Sequence, residues 1–428
     1  MIEICLVLNS NYGVSLKHDD SVLKQGVLLF ATEIEHLNYY DLTLTKNYPF
    51  AGYDFMIGSD GKLYFLEANA VAGGIFVIEL VYKIIRKYLP SRLARLSENL
   101  GRLVEDFVKM SITFHTMLKN YLPKTAIVTI PVERLGLLNP EREYIAYVLR
   151  SYGLQSWTVP RTKFRIKNGY LIADIDGMSV TPDIIIRKTI NFPKNLKQVV
   201  INPSEVGKIT GSKWKTYLVV QDLLKRKPYL QDILHLPLTF YAKNAYKALE
   251  RARELLEMKK QAVIKPVRGQ GGKGIVIIGD SDELEKKMCR LNEKGKYIVQ
   301  EKIHPLYILS SDKYQYAFDV RVYAYLGEMA GIQIRRAPIP INLAEKNLEK
   351  ALVSNISSGG TFVFVAMDYE YKGFIRYYKI PKKALPFGNR VINIDENVLI
   401  FGRDLLYKLR MIARELTIAL SNAVERGQ

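Results

Sequence analysis

A chain of 428 residues, 48% of them hydrophobic, has material for two or three domains with buried cores, which excludes a disordered or fibrous protein. Lys and Arg number 62 against 43 Asp and Glu, and the resulting charge of +19 biases the chain toward polyanionic partners such as nucleotides, nucleic acid or acidic lipid headgroups. Cys5 and Cys289 stand far apart without CxxC or Cys/His spacing, which argues against a disulfide framework or structural zinc and fits a reducing cytosol.

The first residues, MIEICLVLNSNYG, read as a strand: the apolar run is brief, holds Glu3 and has no basic leader, so no export is expected. Further on, Tyr53 to Ile57 and Lys62 to Glu67 flank the turn Gly58-Ser59-Asp60-Gly61 as a β-hairpin. The apolar stretch Gly73 to Ile85 is broken by Glu79 and Lys83 and is shorter than the roughly 20 residues that span a bilayer, so no membrane is expected. Leu93, Leu96, Leu100, Leu103, Phe107, Met110, Phe114 and Leu118 recur at helical spacing, which predicts one long connecting helix from Ser91 to Tyr121, Ser-capped and stopped by Pro123. Its basic residues read as a solvated outer face and not as a membrane-binding one. Abundant Lys, Glu, Ile and Tyr with sparse Cys hint at a heat-adapted source.

From Lys124 the pattern becomes α/β, with strands at TAIVTIP, SWTVP and DIIIRK, a helix over Glu141 to Ser151, and a hairpin of KFRI with YLIADI. Helices are expected over Trp214 to Leu224 and Asn244 to Leu256, followed by the strand QAVIKPV, the loop Arg268-Gly269-Gln270-Gly271-Gly272-Lys273-Gly274 and the strand IVII. An amphipathic helix from about Arg403 to Val424 ends the pattern.

The glycine loop carries the first chemical signal. Without Cβ atoms its backbone can turn tightly and aim N–H groups at phosphate oxygens. A strand follows it, and GxxxxGK[ST] is absent, so a hairpin lid over phosphates fits better than a Walker-type or dinucleotide loop; an ordinary hairpin turn is the alternative. Lys265 ends the apolar strand before the loop and projects a cation suited to a nucleotide phosphate. The later strand YIVQEKI ends in Glu301 and Ile303, an edge and a carboxylate able to hold a purine or ribose.

In order, Lys213 in GSKWKTYLV, PLTFYAK, AVIKPVRGQGGKGI, YIVQEKI, FDVRVYAYLG, IQIRRA and SNISSGG resemble the ATP-grasp superfamily over about residues 125 to 425. Within it the wording is most similar to the glutathione-synthetase and RimK-like branch, especially the endospore-coat-associated proteins. The resemblance implies an α/β fold: two α+β ATP-grasp lobes after a Rossmann-like α/β domain. It also implies ATP contacts from Lys213 and Lys265, a covering loop of Gln270, Gly271, Gly272 and Gly274, and adenine held by Glu301 and Ile303. Asp319, Arg321, Arg335 and Asn355 would line the phosphate end, where cations neutralise a transferring phosphoryl group and hold an acyl phosphate. A cross-strand ion pair is the alternative role of Asp319 and Arg321, which share a strand face. Arg335 and Arg336 point to opposite faces of a strand, and the family pattern favours Arg335.

The family's closing pair of strands, an Asp followed by Glu-x-Asn, is missing after Gly360. A segment near the start, AGYDFMIGSDGKLYFLEANAVAGG, resembles it instead, with Asp54, Glu67 and Asn69 at the matching places. Glu67 and Asn69 share a strand face and Asp54 lies on the partner strand, so three hard oxygen ligands can converge on Mg²⁺ or Mn²⁺. This predicts a circular permutation: residues 1–90 close the ATP-grasp domain of 211–428, reached by a connecting helix over 91–122 and an α/β domain over 123–210. Asn9 to Gly13 followed by a helix-like 22–37 faintly echoes Ser354 to Gly360 followed by the terminal helix. A hairpin shared between subunits of a homo-oligomer, or a relic lobe without metal, is also open.

The expected activity is a cytoplasmic, Mg²⁺-ATP-dependent carboxylate–amine or carboxylate–nucleophile ligase working through an acyl phosphate, on an unknown carboxylate and acceptor for which the basic charge favours acidic molecules. A small-molecule kinase and a non-catalytic nucleotide-binding protein are the alternatives. Basic residues are spread along the chain with no recognition motif, which ranks nucleic acid low.

Overall fold

The computed structural model describes residues 43–427, apart from 72, 132–137, 189–190, 194, 270, 312, 344–347, 355, 357–358 and 388–389. The strand read at the N-terminus, the echo in residues 9–13 and 22–37, Gln270 and Asn355 therefore lie outside the described residues.

Among the described residues the hairpin β1 (Phe50–Ile57) and β2 (Leu63–Asn69) comes first among the strands and is followed by α1 (Ile75–Ile85). In place of one long helix come α2 (Ser91–Arg95), a 3-10 turn over Glu98–Arg102 and α3 (Leu103–Lys119). The single-helix expectation fails for a tertiary reason. Gly101 is pressed against the ring of Tyr82, where a Cβ would stand 2.5 Å from it, and buried Ser97 turns its hydroxyl back onto the Leu93 carbonyl at 2.9 Å. Nor does a side chain cap the start, since Pro90 occupies the N-cap position.

Next come β3 (Thr125–Ile130), α4 (Leu138–Ser151), β4 (Gln155–Pro160), the meander β5 (Phe164–Lys167), β6 (Tyr170–Ile175) and β7 (Met178–Val180), then β8 (Ile184–Ile186) and β9 (Val199–Ile201). Strands β4-β3-β8-β9 form a parallel sheet. Helices α5 (Ser204–Thr210) and α6 (Lys213–Arg226) lead on, α6 capped by Ser212.

The small lobe contains β10 (Thr239–Ala242), α7 (Ala245–Glu257), β11 (Ala262–Pro266), β12 (Val276–Ile278), α8 (Ser281–Met288) and β13 (Tyr297–Glu301). Its sheet runs β10-β13-β11-β12, all antiparallel, over a separate hydrophobic cluster. Asn244 and Asp280 cap its two helices.

The remainder is β14 (Tyr307–Leu309), β15 (Gln315–Tyr325), β16 (Glu328–Arg336), α9 (Leu348–Leu352), β17 (Thr361–Asp368), β18 (Ile375–Lys379), β19 (Lys383–Phe387), β20 (Arg390–Gly402) and α10 (Arg403–Glu425). The large sheet runs β18-β20-β17-β16-β15-β1-β2, so the N-terminal hairpin extends a sheet made from the far end of the chain. β15 shows why it sits where it does: Phe318, Val320, Val322 and Ala324 turn one face to the core, while Asp319, Arg321, Tyr323 and Tyr325 occupy the other. β1 lies between two strands, which is why Tyr53, Phe55 and Ile57 are all buried. The buried Tyr53 hydroxyl meets Thr417 of α10 at 2.7 Å.

Two further attachments place the hairpin. Asn202, after β9, accepts from Phe50 N (3.1 Å) and donates to the carbonyls of Phe50 and Ala70, both at 2.5 Å. The segments joining the small lobe also bond the hairpin: His235 N donates to Leu63 O and Phe65 N to His235 O, while Ser59 N donates to His304 O and Leu306 N to Ile57 O. Among the described residues, no helix is long and apolar enough to cross a membrane.

Candidate functional site

Between the small lobe and the large sheet lies a cavity. Its roof is β11, the glycine loop and β13; its floor is β1, β2, β15 and β16; Lys213 and the segment 349–354 close its sides.

The floor is set by strand register. Glu67 stands opposite Asp54, Asp54 opposite Arg321, and Asp319 opposite Arg335, so these side chains share one face of adjacent antiparallel strands. Arg321 donates from Nε and Nη2 to the two oxygens of Asp54 at 2.6 and 2.7 Å. Arg335 grips Asp319 the same way, at 2.8 and 2.6 Å, and adds a 3.1 Å bond from Nη2 to Asp54 Oδ2. Burial pushes the Asp54 carboxyl up, but the adjacent Arg321 and Arg335 charges win and hold it well below the usual carboxylate range. The cross-strand ion pairing that the sequence left open for Asp319 and Arg321 is present, Asp319 with Arg335 and Arg321 with Asp54. Arg336 lies outside the cavity lining, with its guanidinium over the Tyr316 ring and Nε 2.7 Å from Asp395.

Asn69 Nδ2 lies 3.4 Å from Asp54 Oδ2, and Glu67, with a third of its side chain exposed, faces Lys213 at 3.4 Å. Asp54, Glu67 and Asn69 are thus adjacent hard oxygen donors, which suits a small divalent cation. Two are carboxylates and one an amide; no group of three His, Cys, Asp or Glu with ligand geometry occurs among the described residues. Asp54 Oδ2 accepts from Arg321, Arg335 and Asn69 while Oδ1 accepts from Arg321 alone, so a cation at this residue would compete with the guanidinium pairing or share Oδ1 with it.

On the roof, Lys265 sits at the end of β11 and Lys213 at the start of α6, where Lys213 Nζ donates to Gly269 O at 2.8 Å. The glycine loop needs glycine: Gly271, Gly272 and Gly274 have φ of 70°, 74° and 73°, a region that L side chains rarely adopt. Gly271 and Gly272 line the cavity, whereas Gly274 turns the chain against Pro266. Glu301 and Ile303 line the base of the roof; Glu301 accepts from Leu238 N at 3.0 Å and pairs with Lys260.

Sequence reasoning missed Gln300. Its Oε1 accepts from Lys265 Nζ at 2.8 Å, and its Nε2 donates to Thr239 Oγ1 at 2.9 Å, so the amide orientation that serves the lysine is fixed. A buried amide within the apolar run YIVQE was the available signal. Val353 and Glu349, which close the cavity from α9 and just after it, carried no signal.

Residues 194–334 match the model of the tubulin-tyrosine ligase family. No curated protein matches the chain in sequence. Among solved structures, a putative gamma-glutamylcysteine synthetase from Methylobacillus flagellatus is similar at a TM-score of 0.56 and 13% identity, over 96% of this chain and 99% of that one. A RimK domain ATP-grasp protein from Sphaerobacter thermophilus covers 70% of this chain and 98% of its own at 13% identity, with a TM-score of 0.33. D-alanyl-alanine synthetase A from Vibrio cholerae covers 71% and 98% at 11% identity, also with a TM-score of 0.33. The fold is the mixed α/β ATP-grasp fold.

Proposed function

We propose that the protein is an ATP-dependent ligase. ATP phosphorylates a substrate carboxylate, and an amine or other nucleophile attacks the acyl phosphate, leaving ADP and inorganic phosphate. One observation carries this reading: a single cavity gathers Lys213, Lys265 and the glycine loop on one wall and Asp54, Glu67, Asp319, Arg321 and Arg335 on the other. Positioning and charge neutralisation suffice for phosphoryl transfer to a carboxylate, so no nucleophilic side chain is required. The names of the matching family, a ligase, and of the gamma-glutamylcysteine synthetase support a joining reaction.

In this reading Lys213 and Lys265 hold the phosphates under Gly271 and Gly272, and the adenine lies along Glu301 to Ile303. Glu67, Asp54 and Asn69 would hold Mg²⁺ or Mn²⁺, which would supply neutralisation of phosphate charge. Arg321 and Arg335 receive the acyl phosphate. Residues up to about 90 complete, by circular permutation, the ATP-grasp domain that starts near 211; the insertion of β1 between β2 and β15 and the Glu67–Lys213 contact support this. The charge of +19 would steer ATP and an acidic co-substrate toward the site in the cytoplasm.

Calorimetry of ATP binding with and without Mg²⁺, on the intact protein and on Glu67→Ala, tests the site. The expected result is loss of the magnesium-dependent part in Glu67→Ala with metal-free nucleotide binding preserved. Identical behaviour of the two proteins would overturn the metal assignment and the permuted site. Incubation with carboxylate and amine panels then separates ligase from kinase: phosphate release with a joined product supports the reading, and a stable phosphoester contradicts it.

A further inference from the structure

The floor cations are satisfied before any substrate arrives. Asp54, Asp319, Arg321 and Arg335 expose only 4%, 13%, 12% and 7% of their side chains, and five charge-assisted hydrogen bonds of 2.6 to 3.1 Å join them. Such bidentate pairs are strong in a partly dry site. A substrate carboxylate or phosphate approaching the two guanidinium groups therefore meets donors that already face carboxylates.

We propose that Asp319 and Asp54 hold Arg335 and Arg321 closed to anions, and that a metal–nucleotide complex arriving at Glu67 and Asp54 releases the pair to the substrate carboxylate and its phosphorylated form. The inference rests on the ligase reading of the cavity. A divalent cation beside Asp54 competes for its lone pairs and repels both guanidinium groups, so metal–nucleotide binding and anion binding become positively coupled. The coupling is reciprocal, because each ligand must raise the affinity of the other by the same factor. Asp319 is a positioning residue in this scheme: it acts through Arg335 and determines how much of that cation an anion can reach. The consequence is an order of addition in which the phosphoryl donor precedes the acceptor.

Inorganic phosphate is the probe, titrated by calorimetry into the ADP-saturated protein with Mg²⁺ or with EDTA. Wild type should bind phosphate about tenfold more tightly with Mg²⁺, a coupling of ordinary size. A metal that simply bridges ADP and phosphate would give the same result, so Asp319→Asn decides. It should raise phosphate affinity about tenfold in EDTA and change it less than about twofold with Mg²⁺, so that the metal dependence collapses. An equal rise in both conditions would mean ordinary charge removal, and no rise in EDTA would mean that Asp319 does not close the site; either result overturns the proposal. Should Asp319→Asn fail to fold, the side-chain Nε–H resonances of Arg321 and Arg335 in the wild-type protein give a second readout. They should shift on adding Mg²⁺-ADP and stay in place with ADP and EDTA, and resonances unmoved by Mg²⁺-ADP overturn the release. A wild-type protein that binds no ADP under any condition would remove the ligase reading itself, an outcome distinct from ADP binding with uncoupled phosphate.

Discussion

Lys265 shows what a single residue contributes when its surroundings set its charge. Burial above all, and then the Lys213 ammonium, pull its pKa down to about 8, with Glu67 opposing. The Gln300 carbonyl oxygen accepts from the ammonium and thereby favours its charged form. Only the protonated lysine attracts phosphate, so ATP affinity should fall as pH rises through about 8, by up to tenfold per pH unit above it, while binding takes up a proton. Calorimetry in buffers of different ionisation enthalpy reads that uptake directly. Lys265→Met should bind ATP weakly with no proton uptake in this range, and Gln300→Leu should move the midpoint downward. A flat wild-type profile across pH 8 would show that the lysine does not contact phosphate in the complex.

At the scale of the element, the β11–loop–β12 hairpin is a lid whose shape depends on Gly272. A Cβ there would lie 2.6 Å from the Val353 side chain, and the φ of 74° adds backbone strain of about 1–2 kcal/mol for an L residue. Gly272→Ala should therefore weaken ATP binding by about tenfold or more, since the lid can no longer rest against the segment after α9. Adding Val353→Ala should restore the steric part and leave the backbone part, which a double-mutant cycle measured by ATP affinity would resolve. Full recovery would show that the positive φ carries no cost.

The same elements show what was legible in sequence. Lys265 and Glu301 stood out because a charge at the end of an apolar strand needs a partner, and Glu67 with Asn69 through the resemblance of their hairpin to the ATP-grasp closing strands, which a period of two on one face supported. The Asp54–Arg321 contact was not legible as a pair, since 267 residues separate them and periodicity does not say which strands become neighbours. The break between α2 and α3 was hidden for a similar reason: apolar spacing continues through it, and the ring of Tyr82 on Gly101 and the Ser97 bond to the Leu93 carbonyl interrupt the helix. Residues were readable from their own chemistry, whereas which of them pair across the sheet was not.

At the scale of the molecule, the ends of the chain share one hydrophobic core: Tyr53 and Phe55 of the hairpin, Leu103 and Phe107 of α3, Val320 and Val322 of β15, and Leu409 and Leu416 of α10 belong to the same buried cluster. Each large apolar side chain in it stabilises the fold by roughly 1.5–3 kcal/mol relative to exposure, and β1 adds a backbone ladder to β15 over Phe50 to Phe55. The connection between the two parts is thin at the exposed end of α3 and the residues after it, Leu118–Tyr121, where Asn120 has a φ of 61°. A protease site inserted after Asn120 should therefore be cleaved without separating the pieces. The nicked protein should elute as one species at native size and bind Mg²⁺-ATP within about threefold of the intact protein, because Glu67 and Asp54 remain clamped against β15 and both small-lobe connections. Denaturant should be needed to part the fragments. Separation on a sizing column without denaturant would mean that the hairpin is held by the covalent connection alone, and a nicked protein that stays whole but loses only its magnesium-dependent binding would place the metal donors, and not the core, at the cut's point of sensitivity.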